Sequence, residues 1–491
     1  MLLLGIDVGT SSIKVSVVEA ASGRTLGSAQ FPDVESPISA PQPGWAEQDP
    51  EMWWEHVQQA ILKLNAKKAF DSSAIAAIGI AYQMHGLVAV NKNQEPLFPS
   101  IIWCDSRAVQ IGEKAFADLG EEYCLSHLLN SPGNFTASKL AWVKQNRPEL
   151  YAQIDKIMLP GDYIAMKLTG KITTSVSALS EGVFWDFESK SISKTLIDYY
   201  GLNEELIPAP EELFANHGEL SQSVATALGL KAGIPVTYKA GDQPNNALSL
   251  NVMEPGEVAA TAGTSGVIYG VTDQLVSDPK SRVNSFAHVN YASSSERLGV
   301  LLCINGTGIL NRWMKTTVAP QMSYSEMNQA AKSVEAGCEG LRIIPFGNGA
   351  ERILENKRVG AHIQNIDLNL HGPAHLFRAT QEGIAYAFRY GLDIMRENGM
   401  NPSVIRAGKA NLFLSDLFLD IFVSITGVPV ELHEADGSVG AAIGAGIGAG
   451  ILKNAAKTGA NKVELIKPDG SNKYEDHYLD WKQLLEKQLS W

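Results

Sequence analysis

Two short peptides put a carboxylate where an apolar run gives way to a turn. Residues 2–12, LLLGIDVGTSS, set Asp7 at the end of such a run, directly ahead of Gly9, Thr10, Ser11 and Ser12. Residues 236–248, VTYKAGDQPNNAL, set Asp242 after a strand-like run, with Gly241 leaving backbone room and Gln243, Asn245 and Asn246 crowding donors nearby. The first arrangement suits a hydrated magnesium ion on the carboxylate while turn N–H groups and hydroxyls wrap phosphate oxygens. The second suits a carboxylate that takes a proton from a substrate hydroxyl. Each has a plain structural alternative, because Gly-Thr-Ser also makes an ordinary hairpin turn and such an Asp also serves as an Asx-turn or helix N-cap. Between them Gln83-Met84-His85-Gly86 offers Gln, His and backbone groups to a polyhydroxylated ligand, although a lone His is also a common structural or surface residue. Residues 103–107, WCDSR, add Asp105 and Arg107, which equally make a surface ion pair of little energetic weight.

The elements that must position these groups are legible in the apolar spacing. Residues 2–6 read as a short buried strand, and Ile13, Val15 and Val17 alternate with Lys14 and Ser16 as a half-buried strand. Ala-Ser-Gly-Arg at 21–24 turns the chain back, so residues 25–31 complete an antiparallel hairpin or meander. A helix starts after residue 48, with Asp49 as N-cap, Pro50 at its first position and Glu51 in its first turn. Residues 75–86 read as a strand running into a loop. The opening pattern recurs in residues 257–271, where Gly263-Thr264-Ser265 sits between strand-like runs, about half the chain after Gly9-Thr10-Ser11. A weak duplication of this kind suggests two similar domains, each offering one small-residue turn.

Composition narrows the partners. A chain of 491 residues, 45% hydrophobic and 19% charged, buries sizeable cores and divides into two or more domains. A net charge of −13 argues against nucleic acid and against an anionic membrane surface. Cys104, Cys124, Cys303 and Cys338 lack any Cys-x-x-Cys spacing and fit reduced thiols of the cytoplasm, so the sequons at Asn134 and Asn305 read as coincidental. Neither a signal peptide nor an 18-residue apolar span is expected.

Two glycine-rich runs imitate nucleotide motifs. Residues 438–450 contain Gly444-x-Gly446-x-x-Ala449 with Glu464 further on, which imitates a dinucleotide fingerprint and is the sole support for a nicotinamide-dependent dehydrogenase. The match begins well after the strand-like VPVEL at 428–432, not at a strand-to-helix turn, so a helix packed closely through small residues is expected instead. Gly170-Lys171 and Gly408-Lys409 are followed by Ile172 and Ala410, so no phosphate loop of the Gly-x4-Gly-Lys-Ser/Thr type exists.

Taken together, these residues resemble the FGGY family of carbohydrate kinases. The matches run in order along nearly the whole chain: Asp7 to Ser12, GWAEQDPEMWW (44–54), Gln83 to Gly86, Trp103 to Arg107, DYIAMKLTG (162–170), Gly241-Asp242, Gly263 to Val267, Glu351-Arg352 and AHLFRATQEGIAYAFR (374–389). The resemblance implies an α/β fold of two actin- and hexokinase-type (ribonuclease H-like) domains, 1–240 and 241–491, each a mixed sheet flanked by helices, around a central cleft. It implies transfer of a phosphoryl group from ATP to a sugar hydroxyl, D-xylulose foremost, with another ketose or polyol (L-ribulose, L-fuculose, glycerol, sedoheptulose) as the alternative. An actin-like ATPase would keep Asp7 and both turns but would have no need of residues 83–86. In the family pattern Asp242 is the general base, Asp7 helps hold Mg2+, and Gly9, Thr10, Ser11 and Ser12 lie near the phosphates. Gly263, Thr264 and Ser265 form the matching turn, Gly408 and Asn411 stand in the adenine loop, and Gln83, Met84, His85, Gly86 and Asp105 meet the sugar. The expected partners are a ketopentose and ATP, with a homodimer left open. Departures are Tyr82 where glycine is usual, Gln243-Pro244 in a form closer to glycerol and heptulose kinases, and Lys409 and Asn411 where small residues are common.

Overall fold

The computed structural model describes residues 1–454 and 464–490. The first half opens with β1 (Leu2–Val8), β2 (Ile13–Glu19) and β3 (Thr25–Phe31), an antiparallel meander as the spacing predicts. Helix α1 (Pro50–Ala66) starts where Asp49 accepts from the Glu51 N–H at 2.9 Å. It buries Trp53, Val57, Ala60, Ile61 and Leu64, a stripe at helical spacing, against β2 and β3. Strand β4 (Ile75–Tyr82) lies parallel to β1. An excursion then carries α2 (Thr136–Asn146), α3 (Pro160–Thr169) and α4 (Val176–Glu181) before β5 (Val236–Gly241) closes the sheet in the order β5-β4-β1-β2-β3.

The second half repeats this plan. After α5 (Asp242–Ser249) come β6 (Glu257–Ala262), β7 (Gly266–Thr272), β8 (Asn284–Ala287) and β9 (Leu298–Ile304). There follow α6 (Pro373–Glu397), β10 (Val404–Gly408), α7 (Asp416–Thr426), β11 (Val430–His433), α8 (Gly437–Gly448) and β12 (Glu464–Ile466). The sheet runs β8-β9-β7-β6-β10-β11-β12. β6–β7 and β7–β9 are antiparallel while β6–β10 and β10–β11 are parallel, which matches β1–β2, β2–β3, β1–β4 and β4–β5. The Gly9–Ser12 and Gly263–Ser265 turns therefore occupy equivalent hairpins, as the weak duplication suggested.

The expected boundary falls at the β5–α5 junction, and packing crosses it in both directions. Leu87, Leu140 and Leu179 of the first half join one core with Ala247 of α5 and with Ala259, Tyr269 and Val271 beyond it. Helix α8, although it follows the second half's β11, packs on β1, β4 and β5. This close approach needs the missing side chains: a Cβ on Gly5 would lie 1.8 Å from the Ser438 carbonyl oxygen, and one on Gly79 would lie 2.0 Å from that of Ala441. The Gly/Ala run is thus a helix packed through small residues, and the dinucleotide fingerprint has no strand-to-helix turn to stand on. Asn245 of α5 donates to the Gly437 carbonyl of α8 at 2.9 Å, tying the two crossing helices together. No helix among the described residues is long and apolar enough to cross a membrane.

Candidate active site

A cavity of about 580 Å³ is lined by Met84, His85 and Trp103 from the first half, by Asp242 and Gln243 at the β5–α5 junction, and by Ser265, Asn284, Asn305 and Arg352 from the second. Both cysteines of the region, Cys104 and Cys303, and both sequon asparagines, Asn134 and Asn305, face it as well.

The first turn is held rather than free. The Thr10 hydroxyl donates to Gln83 Oε1 at 3.1 Å and accepts from Trp103 Nε1 at 3.0 Å, while its carbonyl accepts from Gln48 Nε2 at 2.8 Å. Gln48 Oε1 accepts in turn from Trp53 Nε1 and Gln83 Nε2. Gln83 is thereby buried beneath the turn, outside the cavity lining, and Ser11 stays exposed. Gly86 lies against Pro160, where a Cβ would be 2.8 Å from the ring, so its backbone serves packing. Tyr82 is likewise buried, its ring on Gly161.

His85 is fixed on both sides. Its backbone sits in the left-handed region at φ 62°, its N–H donates to Glu181 Oε1 at 3.1 Å, and its Nδ1 lies 3.0 Å from the Glu181 carbonyl. A carbonyl only accepts, so Nδ1 carries the proton and Nε2 keeps a lone pair on a ring that lines the cavity. Burial, with Lys139 nearby, pushes the imidazole pKa down to about 3, so His85 is neutral at ordinary pH. The Lys139 ammonium donates to the His85 carbonyl at 2.8 Å and to that of Ile102 at 3.0 Å, and burial brings its pKa down to about 7.

Asp242, the first residue of α5, carries a carboxyl pushed up to about 7, by burial first and by the charge of Asp7 second, against hydrogen bonds from Gln243. Asp7 ends β1 under the N-terminus of α8, where a Cβ on Gly437 would lie 2.2 Å from its Oδ2. Burial and then Asp436 push it up to about 6, while Lys14 opposes. Lys14 is ion-paired with Asp436, whose Oδ1 caps α8 by accepting from Ser438 N at 3.0 Å. The charge of Asp7 raises Asp242, so two carboxylates come together as a donor set where the halves meet. Among the described residues no group of three or more His, Cys, Asp or Glu side chains is placed to hold a metal. That donor set fits Mg2+, which keeps several waters and takes one or two carboxylates together with substrate phosphates.

The second turn is clamped from behind. Thr307 Oγ1 lies 3.3 Å from the carbonyls of Gly263 and Thr264, and the N–H groups of Gly308 and Ile309 donate to the same two carbonyls at 3.0 Å. Glu351 is buried and accepts from the N–H groups of Asn305 and Gly306, both at 2.8 Å, and burial pushes its pKa up to about 7. Asn411 stands beside this turn, its Nδ2 3.4 Å from a Cβ built on Gly263, with its backbone at φ 53°. Gly408 ends β10 next to Ala435, and Lys409 points outward to Glu464 at 3.1 Å.

Asp105 belongs to an interior ion pair with Arg107. It is fully buried, its Oδ2 accepting from Ala46 N at 2.6 Å and from Arg107 Nη2 at 2.6 Å, and it is not among the residues lining the cavity. Nor is the pair a surface one, since Arg107 also meets Glu47 at 2.8 Å and stacks 3.7 Å over Trp45. The residues that sequence reasoning passed over are Glu181 and Lys139. Their only sequence signal is a single charge within an otherwise uncharged stretch, SVSALSEGVF and FTASKLAWV.

Residues 2–249 match the FGGY carbohydrate kinase N-terminal domain and residues 258–449 its C-terminal domain. The chain is 29% identical to the xylulose kinase of Escherichia coli over 90% of its own length and 88% of that protein. It is also 29% identical to that of Staphylococcus epidermidis over 97% and 95%. The crystal structure of xylulose kinase from Rhodospirillum rubrum superposes with a TM-score of 0.88 at 25% identity, covering 99% of both chains. With both halves of the family model matched in order, the chain belongs to the FGGY family of carbohydrate kinases and is a sugar kinase, a phosphotransferase.

Proposed function

We propose that the protein transfers the γ-phosphoryl group of ATP to a hydroxyl of D-xylulose, giving D-xylulose 5-phosphate, with Asp242 as general base. The observation that carries this reading is the Asp242 carboxyl, raised to about 7 on the wall of the same cavity that receives His85. A base with its pKa near the working pH combines a useful deprotonated fraction with enough basicity to accept the hydroxyl proton. His85 Nε2 accepts from a second sugar hydroxyl and so orients the first toward Asp242. The backbone donors of the Gly9–Ser12 and Gly263–Ser265 turns hold phosphate oxygens, and the bonded Thr10 hydroxyl fixes the shape of the first turn. Asp7 would hold Mg2+, which would supply charge neutralisation to the phosphates there. Phosphoryl transfer is mainly positioning and charge neutralisation, so these groups suffice. The xylulose kinase relatives in Escherichia coli and Staphylococcus epidermidis support D-xylulose as the sugar.

The test is a coupled ADP-release assay with Mg-ATP against D-xylulose, L-ribulose, L-fuculose, glycerol, sedoheptulose and no sugar. A clear preference for D-xylulose is expected. Preference for another sugar would move the specificity to residues such as Gln243, which lines the cavity, and not to Tyr82, which is buried away from it. ATP turnover indifferent to every sugar would overturn the reading.

A further inference from the structure

Among the described residues Arg352 is a cation without an anion. It follows Glu351, and the two side chains diverge: Glu351 turns inward to the Asn305 and Gly306 N–H groups, while Arg352 lines the cavity. Its Nη1 donates to Asn284 Oδ1, and Asn284 Nδ2 donates across to Asn130 Oδ1 of the first half at 3.0 Å. Among the described residues no carboxylate pairs with it, and its surroundings offer only the Cys303 thiol against the cost of burial. Other arginines of restricted exposure do pair: Arg107 with Asp105 and Glu47, Arg282 with Asp278, Arg378 with Glu382, and Arg406 with Glu257 and Glu431. A guanidinium keeps its charge under such conditions and presents five N–H donors in a planar fork, of which one is used here.

Its position decides what the free donors meet. Arg352 is near enough to His85 to depress the imidazole further, and it lines the same cavity together with Asn284, Leu301 and Cys303. Two neighbouring N–H donors of the guanidinium can reach two oxygens on adjacent carbons, the vicinal pair that a ketose or polyol carries. We propose that Arg352 is a specificity-determining residue that donates to a vicinal pair of sugar oxygens in the cavity that His85 also lines. This deepens the sugar-kinase reading and rests on it. His85 accepts and Arg352 donates, so the two residues read complementary features of one ligand, and an epimer with one of the two oxygens displaced leaves a donor unpaired.

The experiment is steady-state kinetics of Arg352→Gln and Arg352→Lys with the sugar the wild type prefers, with an epimer of that sugar, and with varied ATP. Loss of hydrogen bonds from a charged donor predicts a sugar KM raised about ten- to hundredfold in Arg352→Gln, with ATP KM within about twofold and kcat changed far less. The preference for the sugar over its epimer falls in parallel. Arg352→Lys, which keeps the charge and loses the fork, stays several-fold impaired. An unchanged sugar KM overturns the proposal, and so does a kcat loss at unchanged sugar KM, which would assign Arg352 to the phosphoryl group. Should Arg352→Gln lose its cooperative melt or its ADP binding, the comparison is read on Arg352→Lys, where a sugar KM within twofold of wild type overturns it. A wild type that prefers a sugar other than D-xylulose leaves this test intact, whereas one that phosphorylates no sugar overturns both readings.

Discussion

His85 and Glu181 hold each other twice: the His85 N–H donates to Glu181 Oε1 at 3.1 Å, and the imidazole Nδ1 meets the Glu181 carbonyl at 3.0 Å. One residue thereby fixes both the left-handed backbone and the tautomer of the other. Burial holds the Glu181 carboxyl well above the usual carboxylate range, and the Gln side chain keeps its shape and its acceptor oxygen. Glu181→Gln is expected to keep sugar KM within about threefold. Glu181→Ala strands a buried N–H and opens a void, so it should cost about 2–4 kcal/mol in denaturant unfolding and raise sugar KM at least tenfold. Equal behaviour of the two variants would refute the lock.

Asp242 sets the pH dependence. Only its deprotonated form accepts a proton, so kcat/KM for the sugar should climb with pH through about 7 and level off above it. Because the charge of Asp7 helps raise this value, Asp7→Asn should move the ascending limb to lower pH even as it reduces the rate. Asp242→Asn should reduce kcat by about 10²–10⁴-fold with ADP affinity retained. A variant turning over at the wild-type rate would remove Asp242 from the mechanism.

The same carboxyl costs stability. Its folded pKa of about 7 lies above the ordinary 3.8, so the folded state is favoured while the group is protonated and loses that advantage as pH rises through 7. Asp242→Asn never ionises. Its Tm should match the wild type at about pH 3, exceed it progressively from there toward pH 7, and keep a constant lead above about pH 8. Calorimetry across this range checks the sign, and a lead that shrinks with rising pH would contradict it.

Helix α8 tolerates no bulk beneath it. A Cβ on Gly79 would lie 2.0 Å from the Ala441 carbonyl oxygen, so Gly79→Ala should destabilise by about 1–3 kcal/mol or more and should disturb the setting of Asp7 against Gly437. Gly372, with nothing within 4 Å of an added Cβ, is the control and should change stability by no more than about 0.5 kcal/mol. Equal melts for the two would show that α8 yields.

What the sequence by itself determined is local or ordered along the chain. The β1–β2–β3 meander follows from alternation and a Gly-containing turn, and the start of α1 follows from Asp49-Pro50-Glu51, because neighbours within a few residues decide both. The two Gly-Thr-Ser turns and the ordered motifs were enough to resemble the FGGY family. Four features were decided only by tertiary structure: α8 crossing to the first sheet, Asp105 turned into a buried pair, Glu181 behind His85, and Arg352 left without an acid. Their settings depend on groups distant in sequence, 96 residues for His85 and Glu181, 59 for the Ala46 N–H on Asp105, and 422 for Lys14 and Asp436. Burial and long-range charge, which set the Asp242 pKa and leave the Arg352 donors free, arise only when the two halves pack, and no short peptide carries that information.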